Sequence, residues 1–197
     1  MADVKHFDPD AALDAAMRLF WQRGTASTGV QDVVDATGLN RSSLYATFGS
    51  KQELYRATLE RYVRSRSRLL LGPLEEDGGG LPAVREFFDR LIETRCTGEF
   101  ARWGCMVSNA HAGGENGDPE VGAVLDRQHR QLCAALRTAL GSAQRQGQLA
   151  AGTDPESAAD VLALLAHGVN IRSRAGADAR QLRATVTAAI GAVAPGA

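Results

Sequence analysis

Apolar residues recur along the chain at intervals of three and four positions, and no segment shows the strict alternation of a strand. In the first predicted helix, Asp8 and Pro9 supply an N-cap and a first turn, and the apolar positions are Leu13, Met17 and Phe20. Extended over the whole sequence, this pattern predicts an all-α protein of about nine helices.

Two short helices follow, with a tight turn between them. The first covers residues 30–37 and is broken by Gly38. The second begins after Asn40, a predicted N-cap, and carries Leu44 and Phe48 one helical turn apart. Helices this short, joined this tightly, have the form of a helix-turn-helix.

The fourth predicted helix is longer. Ser50 and Glu53 have the spacing of a capping box, and an amphipathic pattern continues to residue 71, just before Gly72 and Pro73. A polar, glycine-rich run over 75–82 then separates this helix from the rest of the chain. Five further helices are predicted over residues 82–97, 102–112, 119–147, 155–175 and 178–193.

The predicted elements divide the chain into three parts. Residues 1–50 form the helix-turn-helix domain, residues 51–72 a connecting helix, and residues 73–197 a larger helical domain for ligand binding and dimerisation. Two domains joined by one straight helix of about 30 Å, at 1.5 Å per residue, could move relative to each other as a lever.

Composition narrows the class of protein. Of the 197 residues 44% are hydrophobic and 23% are charged, which is typical of a globular protein, and no apolar run is long enough to span a membrane. The three cysteines form an odd set without a C-x-x-C motif, which favours a reducing, cytoplasmic setting. Only Lys5 and Lys51 are lysines among 22 basic residues, a bias that hints at a bacterial source.

Charge is distributed unevenly. Residues 41–68 contain seven basic side chains against two acidic ones, whereas residues 71–197 contain twelve basic against fifteen acidic side chains. A basic segment attached to an acidic body suggests one face that meets a polyanion. Taken alone, the same excess would equally describe the solvated face of the fourth helix.

The third predicted helix has an outer face suited to a DNA groove. Its buried side holds Leu44 and Phe48, and the side chains that face outward are short apart from Arg41. Tyr45 and Lys51 are placed to reach flanking phosphates, Lys51 from the start of a helix whose amides can assist.

The run GVQDVVDATGLNRSSLYATFGSKQELYRATLE (29–60) resembles the DNA-binding signature of the TetR family of bacterial regulators, most specifically in LYATFGSKQEL. Residues 102–110 (RWGCMVSNA) and the following DPEVGAVLDR are similar to one C-terminal subgroup of that family. The resemblance implies a dimeric repressor that binds double-stranded DNA and a small-molecule effector. It places Asn40, Arg41, Ser42, Ser43 and Thr47 toward the groove, and Thr28, Tyr45 and Lys51 toward the DNA backbone.

An effector would bind in the larger helical domain, between helices, in a pocket that is mostly apolar. The candidate ligand-binding residues are Phe87, Phe88, Leu91, Trp103, Met106, Asn109 and His167. Each has an alternative role in ordinary core packing, and His167, in an apolar stretch, is more often a core histidine than a ligand contact.

The sequence also contains residues that suggest a cysteine-based sensor or a metal site. Cys105, with Cys96 as a resolving partner, could instead make the protein a sensor of oxidants or electrophiles. His129 and Cys133 stand four residues apart on one helix face, but two groups do not make a metal site. The chain lacks the common catalytic motifs, so we expect no enzyme activity, no metal and no cofactor.

The last two predicted helices are candidates for a homodimer interface, because one recognition helix reads too few base pairs to act alone. The alternative is that their apolar residues complete the core of the monomer. The positions concerned are Ala158, Val161, Leu162, Leu165, Val169, Leu182, Val186, Ile190 and Val193. Whether such a regulator represses or activates is left open by the sequence.

Overall fold

The computed structural model describes residues 8–76 and 78–195. Over these residues the protein is entirely helical, with no strand, which confirms the predicted fold class. Ten α-helices follow in order: α1 Pro9–Arg23, α2 Val30–Thr37, α3 Arg41–Phe48, α4 Lys51–Tyr62, α5 Arg68–Glu75, α6 Gly80–Cys96, α7 Met106–Ala112, α8 Pro119–Arg145, α9 Pro155–Arg174 and α10 Ala179–Gly191.

Helix starts agree closely with the predicted caps. The side chains of Asp8, Asn40 and Ser50 each accept a hydrogen bond from a backbone N–H two or three residues later. At α4 the capping box is complete, because the Glu53 carboxylate also accepts from the Ser50 N–H at 2.7 Å. That hydrogen bonding from Ser50 lowers the pKa of Glu53.

The prediction of one uninterrupted connecting helix is wrong. A π-helical turn, Val63–Ser67, separates α4 from α5. Without it, Leu69, two regular turns beyond the buried Tyr62, would face the core, yet Leu69 is 75% exposed. The π turn instead rotates α5 so that Leu71 and Leu74 are buried.

The helix predicted over residues 102–112 begins only at Met106. The preceding residues form a loop in which Arg102 and Gly104 both have positive φ, of 64° and 68°, values that an α-helix excludes. This loop brings Phe100 and Trp103 back against α1.

Two hydrophobic cores hold the helices together. The C-terminal core lies among α5, α6, α8, α9 and α10. The N-terminal core combines α1 to α4 with α7 and the first turns of α8. Trp21 lies where α1 meets the loop before α7. Its ring centroid is 5.0 to 5.2 Å from those of Tyr62, Phe100 and Trp103. Its Nε1–H donates to the carbonyl of Gly104 at 3.0 Å.

Several basic side chains of the connecting helix make ion pairs within the protein. Arg61 donates to both carboxylate oxygens of Asp14, at 2.5 and 2.8 Å, and its hydrogen bond lowers the pKa of that carboxyl. Arg56 pairs with Glu120, and the guanidinium of Arg66 lies 4.2 Å from the ring centroid of Phe100. Much of the basic excess seen in the sequence therefore ties the domains together.

Among the described residues, no helix combines the length and hydropathy needed to cross a membrane.

Candidate nucleic-acid interface and ligand cavity

A helix-turn-helix is formed by α2, a short turn and α3. Gly38 takes a left-handed conformation (φ 70°) that a side chain would disfavour, and Leu39 then turns inward beside Val33 and Leu44. Val34 and Phe48 pack against this core as predicted. The turn fixes α3 with one face buried and the other open.

The open face of α3 carries most of the residues predicted to contact DNA. Arg41, Ser42, Tyr45 and Thr47 are exposed, and Ser43 is half-buried. Asn40 is also exposed, although its side-chain oxygen accepts from the Ser43 N–H at 2.8 Å as the helix cap. Five of these six side chains are exposed, and together they leave this side of α3 open.

The two other predicted contacts are engaged within the protein. Thr28 is buried, and its hydroxyl donates to the carbonyl of Gly24 at 2.6 Å. The Nζ of Lys51 donates to the carbonyl of Thr25 at 2.7 Å, which joins the start of α4 to the loop between α1 and α2.

That loop is also tied to the C-terminal domain. The Glu115 carboxylate, in a short 3-10 turn before α8, accepts from the N–H and the hydroxyl of Thr25 at 3.2 and 2.7 Å. Arg174, at the end of α9, donates to the carbonyls of Trp21, Gln22 and Trp103. The end of α1 and the loop that leads into α2 are therefore connected by hydrogen bonds to elements that surround the C-terminal core.

A cavity of about 50 Å³ lies between α5, α6, α8, α9 and the start of α7, with Cys105 just before it. Three predicted ligand residues line it: Phe87, Leu91 and His167. The remaining lining residues are Leu70, Leu71, Arg95, Cys105, Val107, Ser108, Gln128, His129, Leu132, Ala166 and Asn170.

Four predicted ligand residues lie elsewhere. Phe88 and Met106 are buried in the C-terminal and N-terminal cores, respectively. Trp103 packs against Trp21, and the Asn109 amide donates to the Trp103 carbonyl at 2.9 Å. None of the four lines this cavity.

Sequence reasoning missed Arg95, the one basic side chain of α6 that is buried. Its Nε donates to the Asn170 side-chain oxygen at 2.7 Å and its Nη2 to the Tyr62 hydroxyl at 3.0 Å. Burial opposes its charged form, but Tyr62 and Cys105 beside it raise the pKa of Arg95, so it stays a cation. The sequence does contain an indication that Arg95 is buried, because Arg95 lies on the same helix face as the apolar Phe88 and Leu91.

Cys105 adjoins the same group. The buried Tyr62 hydroxyl donates to the Cys105 sulfur at 3.5 Å, and burial raises the pKa of Tyr62, which keeps the phenol neutral. Cys96 packs instead against the C-terminal core, where burial raises the pKa of its thiol. All three cysteines are free thiols.

Histidines extend from the cavity into α8. The Ser108 hydroxyl lies 3.0 Å from His167 Nδ1, and His167 Nε2 lies 3.4 Å from His129 Nδ1. His129 Nε2 is in turn 3.6 Å from the Cys133 sulfur. Within residues 8–76 and 78–195, these groups do not assemble into a set of three ligands with metal-binding geometry.

Most of the apolar residues proposed for a dimer interface belong to the monomer core. Ala158, Leu162, Val169, Leu182, Val186 and Ile190 are buried in the C-terminal core, and Leu165 and Val193 pack against it. For these eight, the core alternative is the correct one. The outer face of α9 nevertheless exposes Val161, Leu164 and Ile171, with exposed fractions of 61%, 67% and 47%.

The fold and the open face of α3 define a helix-turn-helix DNA-binding regulator. Residues 12–58 match the family described as "Bacterial regulatory proteins, tetR family", and residues 80–189 match "Tetracyclin repressor-like, C-terminal domain". The chain belongs to the TetR family of transcriptional regulators.

Individual relatives agree with this assignment. The chain is 31% identical over 179 residues to the HTH-type transcriptional repressor ComR of Escherichia coli, which covers 90% of this chain and 85% of ComR. A cysteine mutant of the regulator CifR, complexed with 26 bp double-strand operator DNA, matches with a TM-score of 0.84 and 27% identity, over 98% of this chain and all of CifR. Reduced NemR of E. coli shares the fold, with a TM-score of 0.80 at 20% identity over 95% of this chain and 97% of NemR.

The histidine chain predicts a pH dependence of stability. Burial, followed by the charges of His111 and His129, lowers the pKa of His167 from 6.5 to about 4. Since the unfolded chain binds this proton and the folded one does not, stability is complete above the unfolded pKa and falls as pH decreases toward 4. After allowance for partial exposure, the loss is about 2 kcal/mol.

Urea unfolding at fixed protein concentration, repeated at a series of pH values from neutral to weakly acidic, measures this effect. The variant His167→Gln lacks the titrating group and should lose stability less steeply than the wild type. Parallel curves for the two proteins would show that His167 does not contribute.

Proposed function

We propose that this regulator is a homodimeric repressor that is released from its operator when a small, largely apolar ligand occupies the cavity. The observation that carries the proposal is the position of α5. Its residues Leu70 and Leu71 line the cavity. One π turn connects α5 to α4, and α4 starts at Lys51, beside the DNA-binding surface.

On DNA, the two α3 helices of the dimer would lie in successive major grooves, about 34–36 Å apart, on a palindromic operator. Arg41 is long enough to reach base edges or phosphates, while Asn40, Ser42, Ser43 and Thr47 allow close approach to the groove. Tyr45 and Lys51 contact phosphates, for which Lys51 gives up its bond to Thr25. Thr28 acts through the loop that its hydroxyl holds in place.

Ligand binding is transmitted through contacts that already join the domains. A ligand between α5 and α9 displaces elements that end in Arg174 and in the loop of Glu115, and these hold α1 and Thr25. Such a ligand shifts the population away from the form whose two α3 helices have the spacing for DNA only insofar as it binds the form with the other spacing more tightly.

The protein acts in the bacterial cytoplasm, where its operator is accessible.

Dimerisation is supported by the exposed apolar face of α9. Val161, Leu164 and Ile171 lie on one side of the helix at intervals of three and seven residues, with large exposed fractions. A second copy of the chain related by two-fold symmetry would bury the same face on both subunits. Repression, rather than activation, is supported by the similarity to ComR, an HTH-type transcriptional repressor.

Arg41→Ala and Lys51→Ala test the DNA surface. Each should weaken binding to an operator duplex selected from a random pool by about tenfold, since each removes a charged contact. Lys51→Ala should weaken binding to operator and random duplexes equally and lower the salt slope by about one. Binding is measured by fluorescence anisotropy at several salt concentrations.

The matched control is Arg90→Ala, which removes an exposed arginine from the distant helix α6 and should leave DNA affinity unchanged. Unaltered operator binding by both test variants would refute the assigned DNA surface.

Val161→Glu combined with Leu164→Glu tests the dimer. Two carboxylates on this face should convert the protein to a monomer in analytical ultracentrifugation and abolish specific operator binding, because one α3 helix is then insufficient. Helical content should persist, since both positions are exposed. Ala123→Glu, on an exposed position of α8, serves as the control. A double variant that remains a dimer would contradict the interface.

A second candidate is a regulator switched by oxidation or alkylation of Cys105. It is favoured by the position of the Cys105 sulfur, which accepts a hydrogen bond from the Tyr62 hydroxyl and lies beside the Arg95 guanidinium. CifR, whose solved DNA complexes are cysteine mutants, has a similar sequence and fold.

Cys105→Ser separates the two candidates. Under the second, this variant should bind operator normally but no longer release it on treatment with peroxide or an electrophile, whereas Cys133→Ser should still respond. If both variants and the wild type respond alike, or none responds, Cys105 is a packing residue and the ligand mechanism stands.

A further inference from the structure

Arg95 is a buried cation that no carboxylate of the described residues accompanies. Only 3% of the residue is exposed, and no ion pair formed within residues 8–76 and 78–195 includes it. Its hydrogen bonds to the amide of Asn170 and the phenol of Tyr62 go to neutral groups, and the Cys105 side chain also lies beside it. A buried charge without a carboxylate partner is unfavourable unless a group of opposite charge joins it.

The cavity offers the place for that group. Arg95 lines it, and no aspartate or glutamate does so among the described residues. Of the five N–H donors of a guanidinium, two are used by Asn170 and Tyr62, so donors remain for a further acceptor. Two histidines also line the wall. Burial holds His167 neutral, so it does not replace Arg95 as the anion-binding group, and the Nδ1 of His129 lies 3.4 Å from His167 Nε2.

The rest of the wall is suited to hydrocarbon. Phe87, Leu91 and Leu132 line the cavity together with Arg95 and belong to or pack against the C-terminal core. With a volume of about 50 Å³, the space admits a molecule of only a few carbon atoms unless the helices separate. Ligand chemistry is therefore restricted both in charge and in length.

We infer that the cavity binds a short carboxylate, whose oxygens accept hydrogen bonds from Arg95 and whose hydrocarbon part contacts Phe87, Leu91 and Leu132. The planar guanidinium matches a carboxylate in geometry and charge. A neutral molecule of the same shape leaves the cation uncompensated, and a cationic one is repelled by it. This inference rests on the proposed function, in which the same cavity is the effector site.

Titration calorimetry on the purified full chain tests the inference directly. Acetate, butyrate and hexanoate are compared with acetamide, butyramide and hexanamide, at neutral pH and constant ionic strength maintained with sodium chloride. At least one carboxylate should bind about tenfold or more tightly than its amide, the ratio that one charge-assisted hydrogen bond provides. Equal affinities, or no binding of any carboxylate, would overturn the inference.

Two variants locate the site. Arg95→Gln should weaken carboxylate binding about tenfold or more while leaving the weak binding of the amide unchanged. Leu132→Phe, which reduces the cavity and keeps the cation, should weaken both. The matched control is Arg90→Gln, which makes the same change of charge on the exposed side of the same helix. Should Arg95→Gln fail to fold, Leu132→Phe and the comparison of acid with amide decide the question.

Operator release is measured separately, by anisotropy of a labelled operator duplex. Butyrate that binds through Arg95 but leaves operator affinity unchanged would uphold the site and contradict the proposed release mechanism. Release by a neutral apolar compound, undiminished in Arg95→Gln, would uphold the proposed function and contradict the carboxylate site.

Discussion

Trp21 and its surroundings hold the two functional parts of the protein against each other. The indole lies in the last turn of α1, in the DNA-binding domain, yet its neighbours include Phe100 and Trp103 from the C-terminal domain. Its N–H donates a hydrogen bond to the carbonyl of Gly104. A large apolar side chain with one polar atom must bury its ring and satisfy its donor at the same place. The loop from residue 97 to 105 meets both needs, and it therefore cannot move far without disturbing α1.

The π turn at Val63–Ser67 gives the connecting helix two different faces. Before the turn, Tyr62 faces Arg95 and Cys105, and after it, Leu70 and Leu71 reach the cavity. A regular helix would have placed Leu69 inward instead. Irregular helical turns often occur at functional sites, and here one turn allows a single segment to contact Arg95 through Tyr62 and to line the cavity with Leu70 and Leu71.

The cavity combines a permanent cation with one neutral histidine, His167. Arg95 stays charged because a guanidinium holds its proton under all ordinary conditions. Burial lowers the pKa of His167 to about 4, so that this ring acts as a polar but uncharged group beside Ser108 and His129. One fixed positive charge beside the uncharged His167 and several leucines is the physical basis of the proposed preference for a carboxylate.

Most helices, their caps and the helix-turn-helix could be predicted from the sequence, because they depend on residues close together in the chain. Gly38, Asn40 and the Ser50–Glu53 box carry local conformational information that needs no distant partner. The exposed face of α3 followed for the same reason. The resemblance of residues 29–60 to TetR regulators added the role of that face.

Which apolar residues line the cavity, and which only pack in the core, became clear from the folded structure. Phe87 lines it and Phe88 does not, although both are buried on α6. Likewise, the periodicity of α9 and α10 could not separate core residues such as Leu162 from the exposed Val161. Helical spacing identifies an apolar face, but the neighbour that covers that face comes from elsewhere in the chain. The π turn, the burial of Arg95 and the chain of histidines arise from such distant contacts, and so they emerged only in the folded molecule.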